Sequence, residues 1–284
     1  MIARVAGVDL AAEAAGTALA VLNVSGAAVA LESLSLGLDD ETIVRATRDV
    51  ELIGIDCAFG WPSDFVDFVS RHSAAVEPGA AAGGVQPAGP AASLAGANDP
   101  VAMPTANDLT ALPATGDLAW RRQLAYRETD RVVTELTGAR PLSVATDRLG
   151  MTALRCAVLL QRLAADGRVV DRSGEHPSAV VEVYPAMALR VWGIARPGYK
   201  AATDARLALI ADLERAAPWL QFGEHRALMA TSADALDAVL AALVALAHGR
   251  GASIRPEPHQ RALAEVEGWI AIPTVSLDQL GAVG

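Results

Sequence analysis

The chain has 284 residues, 52% hydrophobic and 20% charged, with a formal net charge of −10. This composition excludes a disordered chain and is long enough for a sizeable core. The acidic balance argues against a nucleic-acid binder that works through a broad basic surface, but leaves room for a local basic groove.

In chain order, Ala3 to Val8 reads as a strand ending at Asp9. Thr17 to Val24 is a second strand, Ser25-Gly26 a turn, and Ala27 to Leu31 the start of a third. The opening Met1-Ile2-Ala3-Arg4-Val5 runs straight into that first strand and reads as no export signal, so a cytoplasmic protein is expected. Asp39-Asp40-Glu41-Thr42 predicts a helix start, because acids suit the positive end of the helix dipole; the helix runs to about Asp49. Glu51 to Ile55 is a short apolar run closed by Asp56 and reads as a buried central strand. Residues 73–116 are rich in Ala, Gly and Pro, with no Lys, Arg or aromatic residue, and read as an irregular insertion into one domain spanning 1–284.

Helices are predicted over Trp120 to Leu136 and Asp147 to Asp166, the second with Leu149, Ala153, Cys156, Leu160 and Leu163 at helical spacing. Ala179 to Tyr184 is a strand ending at Pro185. Helices follow at Ala186 to Trp192, Ala201 to Ala216 and Ser232 to Ala247, with Ser232 as N-cap. The longest apolar run, Ala235 to Ala247, falls short of the ~20 residues of a membrane span and carries Asp237. Gly268 to Pro273 closes the chain as an extended segment. Three hairpin-linked strands, a crossover helix and further strands describe a mixed α/β sheet, antiparallel then parallel, flanked by helices.

Cys57 and Cys156 are expected to be reduced and mostly buried, and the five histidines have no zinc-ligand spacing. The chemistry therefore falls to the acids. In an open α/β sheet, sites form at the carboxyl ends of strands. Asp9 closes the first strand and Asp56 the fourth, while Glu182 interrupts the fifth. Asp234 and Asp237 lie three apart on the last long helix, and Asp237 sits in an apolar run where a solvated role is harder to arrange. One acid at a strand end is usually a turn-former or cap. Several together suit Mg²⁺ or Mn²⁺, because carboxylates are hard ligands that repel one another until cations neutralise them. Lys200 is the chain's only lysine among 23 basic residues; beside Tyr199 it is a candidate phosphate contact. Arginines gather between Arg121 and Arg162, either as solvated helix faces or as a phosphate-facing patch.

Seven segments in order carry a family resemblance. They are Val5 to Asp9, Ile53 to Pro62, Tyr126-Arg127-Glu128-Thr129-Asp130, Val181-Glu182-Val183-Tyr184-Pro185-Ala186, Tyr199-Lys200, Ala233 to Ala238, and Glu267 to Pro273. Together they resemble the motifs of the DUF429 family, regarded as predicted nucleases with a ribonuclease H-like fold. The resemblance implies a metal-dependent nuclease acting on a nucleic-acid substrate, with Asp9, Asp56, Glu182 and Asp237 as metal ligands and Asp234 and Lys200 completing the site. It leaves Arg127 and Asp130 without a role. An actin-like or sugar-kinase-like phosphotransferase shares the sheet core, but needs Gly-rich turns; Leu10 to Thr17 has one glycine. A non-catalytic binding protein on the same fold is the other alternative.

Overall fold

The computed structural model describes residues 2–75 and 118–282. The expectation of an irregular insertion therefore lies outside the described residues, except for residues 73–75, which finish a helix.

Strands β1 (Arg4–Asp9), β2 (Ala18–Ser25) and β3 (Ala28–Leu36) form an antiparallel meander. Helix α1 (Asp40–Ala46) starts where the acids predicted: the Asp39 side chain accepts a hydrogen bond from the Thr42 N–H at 2.8 Å. It crosses over to β4 (Leu52–Asp56), which pairs parallel with β1. Helices α2 (Ser63–Ala75), α3 (Leu118–Ala125), α4 (Glu128–Thr137) and α5 (Gly150–Ala165) precede β5 (Val180–Val183), which lies parallel to β4. Then come α6 (Pro185–Val191), α7 (Thr203–Ala216), β6 (Leu220–Gln221), α8 (Arg226–Thr231), α9 (Ala233–Gly249), α10 (Arg261–Glu267), β7 (Ile270–Ala271) and α11 (Leu277–Ala282). The sheet order is β6-β3-β2-β1-β4-β5-β7, antiparallel through the meander and parallel from β1 to β7. This is the expected mixed sheet flanked by helices, and it is consistent with a ribonuclease H-like fold.

Alternation along the strands splits the core in two. Ala6, Val8, Ile53, Ile55 and Val180 pack with Cys156, Leu159, Leu160 and Leu163 of α5 on one face. Val5, Leu52, Val181 and Val183 pack with α9 on the other. Both cysteines are free, Cys156 buried and Cys57 half-buried against the α5 side.

Helix α9 comes unusually close to the sheet. Gly7 and Gly54 are register neighbours on its face. A Cβ on Gly7 would collide with the backbone of Ala238 and Ala242, and one on Gly54 would come 2.8 Å from the Ala241 carbonyl oxygen. Glycine on the strands and alanine on the helix let backbone rest on backbone. Among the described residues no helix is long and apolar enough to cross a membrane.

Helix α1 ends at Ala46, short of the expected Asp49, and two later boundaries also differ, each for a visible reason. The single helix predicted from Trp120 to Leu136 is two helices, broken at Tyr126–Arg127. No Gly or Pro marks the break. Asp130 supplies it by accepting the Arg127 N–H at 3.0 Å, which starts α4 afresh. The helix expected from Asp147 begins at Gly150, because Asp147 instead accepts the Ser143 N–H at 2.7 Å and closes a turn.

Candidate active site

The strand register brings the first two acids together. Asp9 and Asp56 are direct partners at the last position of the β1–β4 ladder. Each lies two residues beyond its glycine, so both belong to the face that α9 covers. On α9 the Ser232 hydroxyl accepts the Ala235 N–H at 3.2 Å and fixes the helix start. Asp234 then falls in the first turn, half-buried. Asp237, one turn before the Ala241 contact with Gly54, is 1% exposed.

The segment between α6 and α7 delivers two more groups. The Tyr199 hydroxyl donates to Asp237 Oδ1 at 2.9 Å, and Lys200 Nζ lies 2.7 Å from Oδ2. Buried Arg206 holds this tip by donating to the Tyr199 carbonyl at 2.9 Å and, across to α8, to the Ala230 carbonyl at 2.8 Å. Nothing in the sequence distinguishes Arg206 from the other arginines. The sequence marks Tyr199 only as the neighbour of Lys200.

Burial, and then the charges of Asp56 and Asp237, push the Asp9 carboxyl up to about 9. Burial and the Asp237 charge push Asp56 up to about 7. Neither carboxylate accepts a hydrogen bond from any described residue. Asp237 is also raised by burial, against the pull of Lys200 and Tyr199. Burial pulls the Lys200 ammonium down, but Asp237, Asp56 and Asp9 hold it above its ordinary range. One half-exposed ammonium thus faces several carboxylates, and near neutral pH a proton on Asp9 carries part of the neutralisation.

Glu182 has a different place. It pairs with Ile55, not Asp56, and shares the parity of Val180, so it points to the opposite face of the sheet from Asp9 and Asp56. Both its oxygens are engaged. Arg127 donates to them at 2.8 and 2.9 Å, and the Phe59 N–H donates at 2.9 Å. The same guanidinium, 4% exposed, donates to both oxygens of Asp130 and to the Glu267 carbonyl. Glu267 in turn accepts from the Ser63 and Glu128 N–H groups, each at 2.8 Å. Gly268, at φ +90°, lets the chain lie against this network; a Cβ there would come 2.7 Å from Glu182 Oε2. Three of the seven sequence segments, around Arg127, Glu182 and Glu267, are thus parts of one buried ion network. This gives Arg127 and Asp130 the role that sequence reading left open.

Two further side chains border the acids. Cys57 follows Asp56, and its thiol is held up by hydrogen bonding with Cys156 and by burial, which keeps it a poor nucleophile. Burial and the Asp56 charge raise the Tyr184 phenol.

The donor set at Asp9, Asp56 and Asp237 is all carboxylate oxygen, which suits a hard dication. Among the described residues, however, no three His, Cys, Asp or Glu side chains already form a metal cage, and Lys200 occupies one oxygen of Asp237. The chemistry of these oxygens fits Mg²⁺ or Mn²⁺.

Comparison with curated proteins finds no match, and comparison with solved structures finds none. The family comparison does: residues 7–261, which hold the β1–β4 acids, Arg127 with Asp130 and Glu182, and the α9 acids, match the family described as "Protein of unknown function (DUF429)". The chain therefore belongs to the DUF429 family.

Proposed function

We propose that the protein is a Mg²⁺- or Mn²⁺-dependent nuclease that hydrolyses phosphodiester bonds at the edge formed by Asp9, Asp56 and Asp237. One observation carries this reading: two carboxylates at matching ends of parallel strands, without hydrogen-bond donors among the described residues, share a face with a third acid. Asp9, Asp56 and Asp237 would hold the cation, with Asp234 adding charge from the first turn of α9. A bound dication supplies Lewis acidity and an activated water. Lys200, held on Asp237, offers an ammonium to a substrate phosphate. Tyr199 and Arg206 keep that lysine in place. Glu182, fully paired with Arg127, acts as a positioning residue: it anchors the Phe59 N–H and so the turn that follows Asp56.

The phosphotransferase alternative gains nothing from the β1–β2 turn. Arg155 fills it, donating to the Ala11 carbonyl at 2.8 Å and the Thr17 hydroxyl at 2.6 Å. The non-catalytic alternative draws on the Lys200–Asp237 pair and on the missing cage. Incubation with labelled single- and double-stranded DNA and RNA, in Mg²⁺, Mn²⁺ or EDTA, separates the readings. Metal-dependent cleavage that disappears in Asp56→Asn supports the nuclease. Absence of cleavage on all four substrates gives the fold to the non-catalytic reading.

A further inference from the structure

Between α3 and α4 lies a cavity of about 380 Å³ lined by Arg122, Arg131, Arg140, Tyr126, Glu135 and the start of α4. We propose that it is an anion subsite that takes a backbone phosphate of a nucleic-acid strand. The proposal rests on the nuclease reading and adds to it a place, away from the carboxylates, where the strand is held.

Three observations lead there. First, the arginines are not equally occupied. Arg131 donates to Glu128 at 2.9 Å and to the Tyr126 carbonyl at 3.0 Å. Arg122 and Arg140, both exposed, donate to no acceptor among the described residues. Second, Arg140 is restrained: its guanidinium lies over the Tyr126 ring, 5.3 Å from the centre, a cation–π contact that uses none of its N–H donors. A guanidinium with its N–H donors unused matches two oxygens of a phosphate. Third, the opposing acids are weak competitors. Asp130 is held at both oxygens by Arg127, which leaves Glu135 as the one unpaired carboxylate among the described residues of the cavity wall. In a chain of net charge −10, a concave site with surplus positive charge is a local exception.

The site also has the right position. The Arg127 side chain at the start of α4 bonds Glu182 of β5, so α4 begins near the sheet edge where β1 and β4 end in Asp9 and Asp56. Tyr184, just past β5, feels the charges of both Asp56 and Asp130. A strand held by Arg122 and Arg140 can extend along this edge to the acids. Phosphate contacts of this kind fix the register of a strand and carry no base preference.

Anisotropy of a fluorescein-labelled single-stranded DNA oligonucleotide in EDTA tests this without any metal. Wild type is compared with Arg122→Ala, Arg140→Ala, the double variant and Arg45→Ala, an exposed arginine outside the cavity. The double variant is expected to bind about 10-fold more weakly, with each single variant flattening the slope of log affinity against log salt by about 1, and Arg45→Ala unchanged. Arg122→Ala alters no hydrogen bond of the protein, so its result stands even if loss of the Tyr126 stack unfolds Arg140→Ala. If all variants bind like wild type, or the strand does not bind at all, the subsite is wrong, whatever the cleavage assay gives. If inorganic phosphate raises the melting temperature in an Arg122-dependent way but the strand does not bind, the cavity takes a small phosphorylated ligand and the proposal is overturned. Arginine-dependent binding without cleavage in Mg²⁺ or Mn²⁺ keeps the subsite and removes the nuclease.

Discussion

Two groups of acids border β4, and they solve the same electrostatic problem differently. Beside β5, Glu182 and Asp130 share Arg127, and backbone N–H groups fill their remaining acceptors, down to Glu267 on α10. On the α9 face, Asp9, Asp56 and Asp237 share one half-exposed ammonium, and Asp9 and Asp56 have no donor among the described residues. The first group is complete and acts as a clasp between α4, α10, β5 and the turn after β4. The second is short of positive charge. The contrast shows that a buried acid is not a candidate ligand by virtue of burial; the free valence of its oxygens decides.

That contrast can be broken in four ways, from the largest effect down. Asp9→Asn or Asp56→Asn, which keeps shape and removes charge, is expected to abolish Mn²⁺-dependent cleavage, a fall of about 10³-fold or more in kcat. Cleavage by either variant within a few-fold of wild type would take the acids out of catalysis. Arg127→Met leaves Glu182 and Asp130 buried without a cation and should cost about 3–5 kcal/mol in urea unfolding; a variant of wild-type stability would mean that the clasp is not one. Gly7→Ala pushes α9 off β1 and should lose about 3 kcal/mol, with Asp237 displaced from its partners. A smaller effect follows from protons. Asp9 and Asp56 bind protons more tightly folded than unfolded, since folding raises both carboxyls to about 9 and about 7. Metal-free stability is therefore full below about pH 4 and falls as pH rises from there through 7 and on to 9, by at most about 1.4 kcal/mol per pH unit per proton. Asp9→Asn should flatten that fall and melt higher than wild type in EDTA. An Asp9→Asn that melts lower would mark Asp9 as a turn or cap residue instead.

Much of this was legible in the chain. Apolar runs ended by an acid gave β1 and β4, and two such strands in parallel place their ends on one edge. Ser232 with acids behind it gave the start of α9 and the place of Asp237. Glu182 shows where reading along one strand stops: whether it shares a face with Asp56 depends on its register with Ile55, a property of the pairing and not of either strand. The break at Arg127 was hidden for a similar reason, because its cap is an Asp three residues on and its partner is 55 residues away in sequence. Gly7 and Gly54 were visible as letters, but their use in seating α9 needed the helix.

The central claim is that the Asp9, Asp56 and Asp237 cluster, short of positive charge, will take a divalent cation. Titration calorimetry of Mn²⁺ at pH 7.5, in two buffers of different ionisation enthalpy, tests it most directly. The account predicts saturable binding with release of about one proton, because Asp9 holds a proton at that pH and must give it up to coordinate. Both the heat and the proton release should vanish in Asp56→Asn. Absence of Mn²⁺ binding to wild type, or binding that Asp9→Asn and Asp56→Asn leave unchanged, would contradict it.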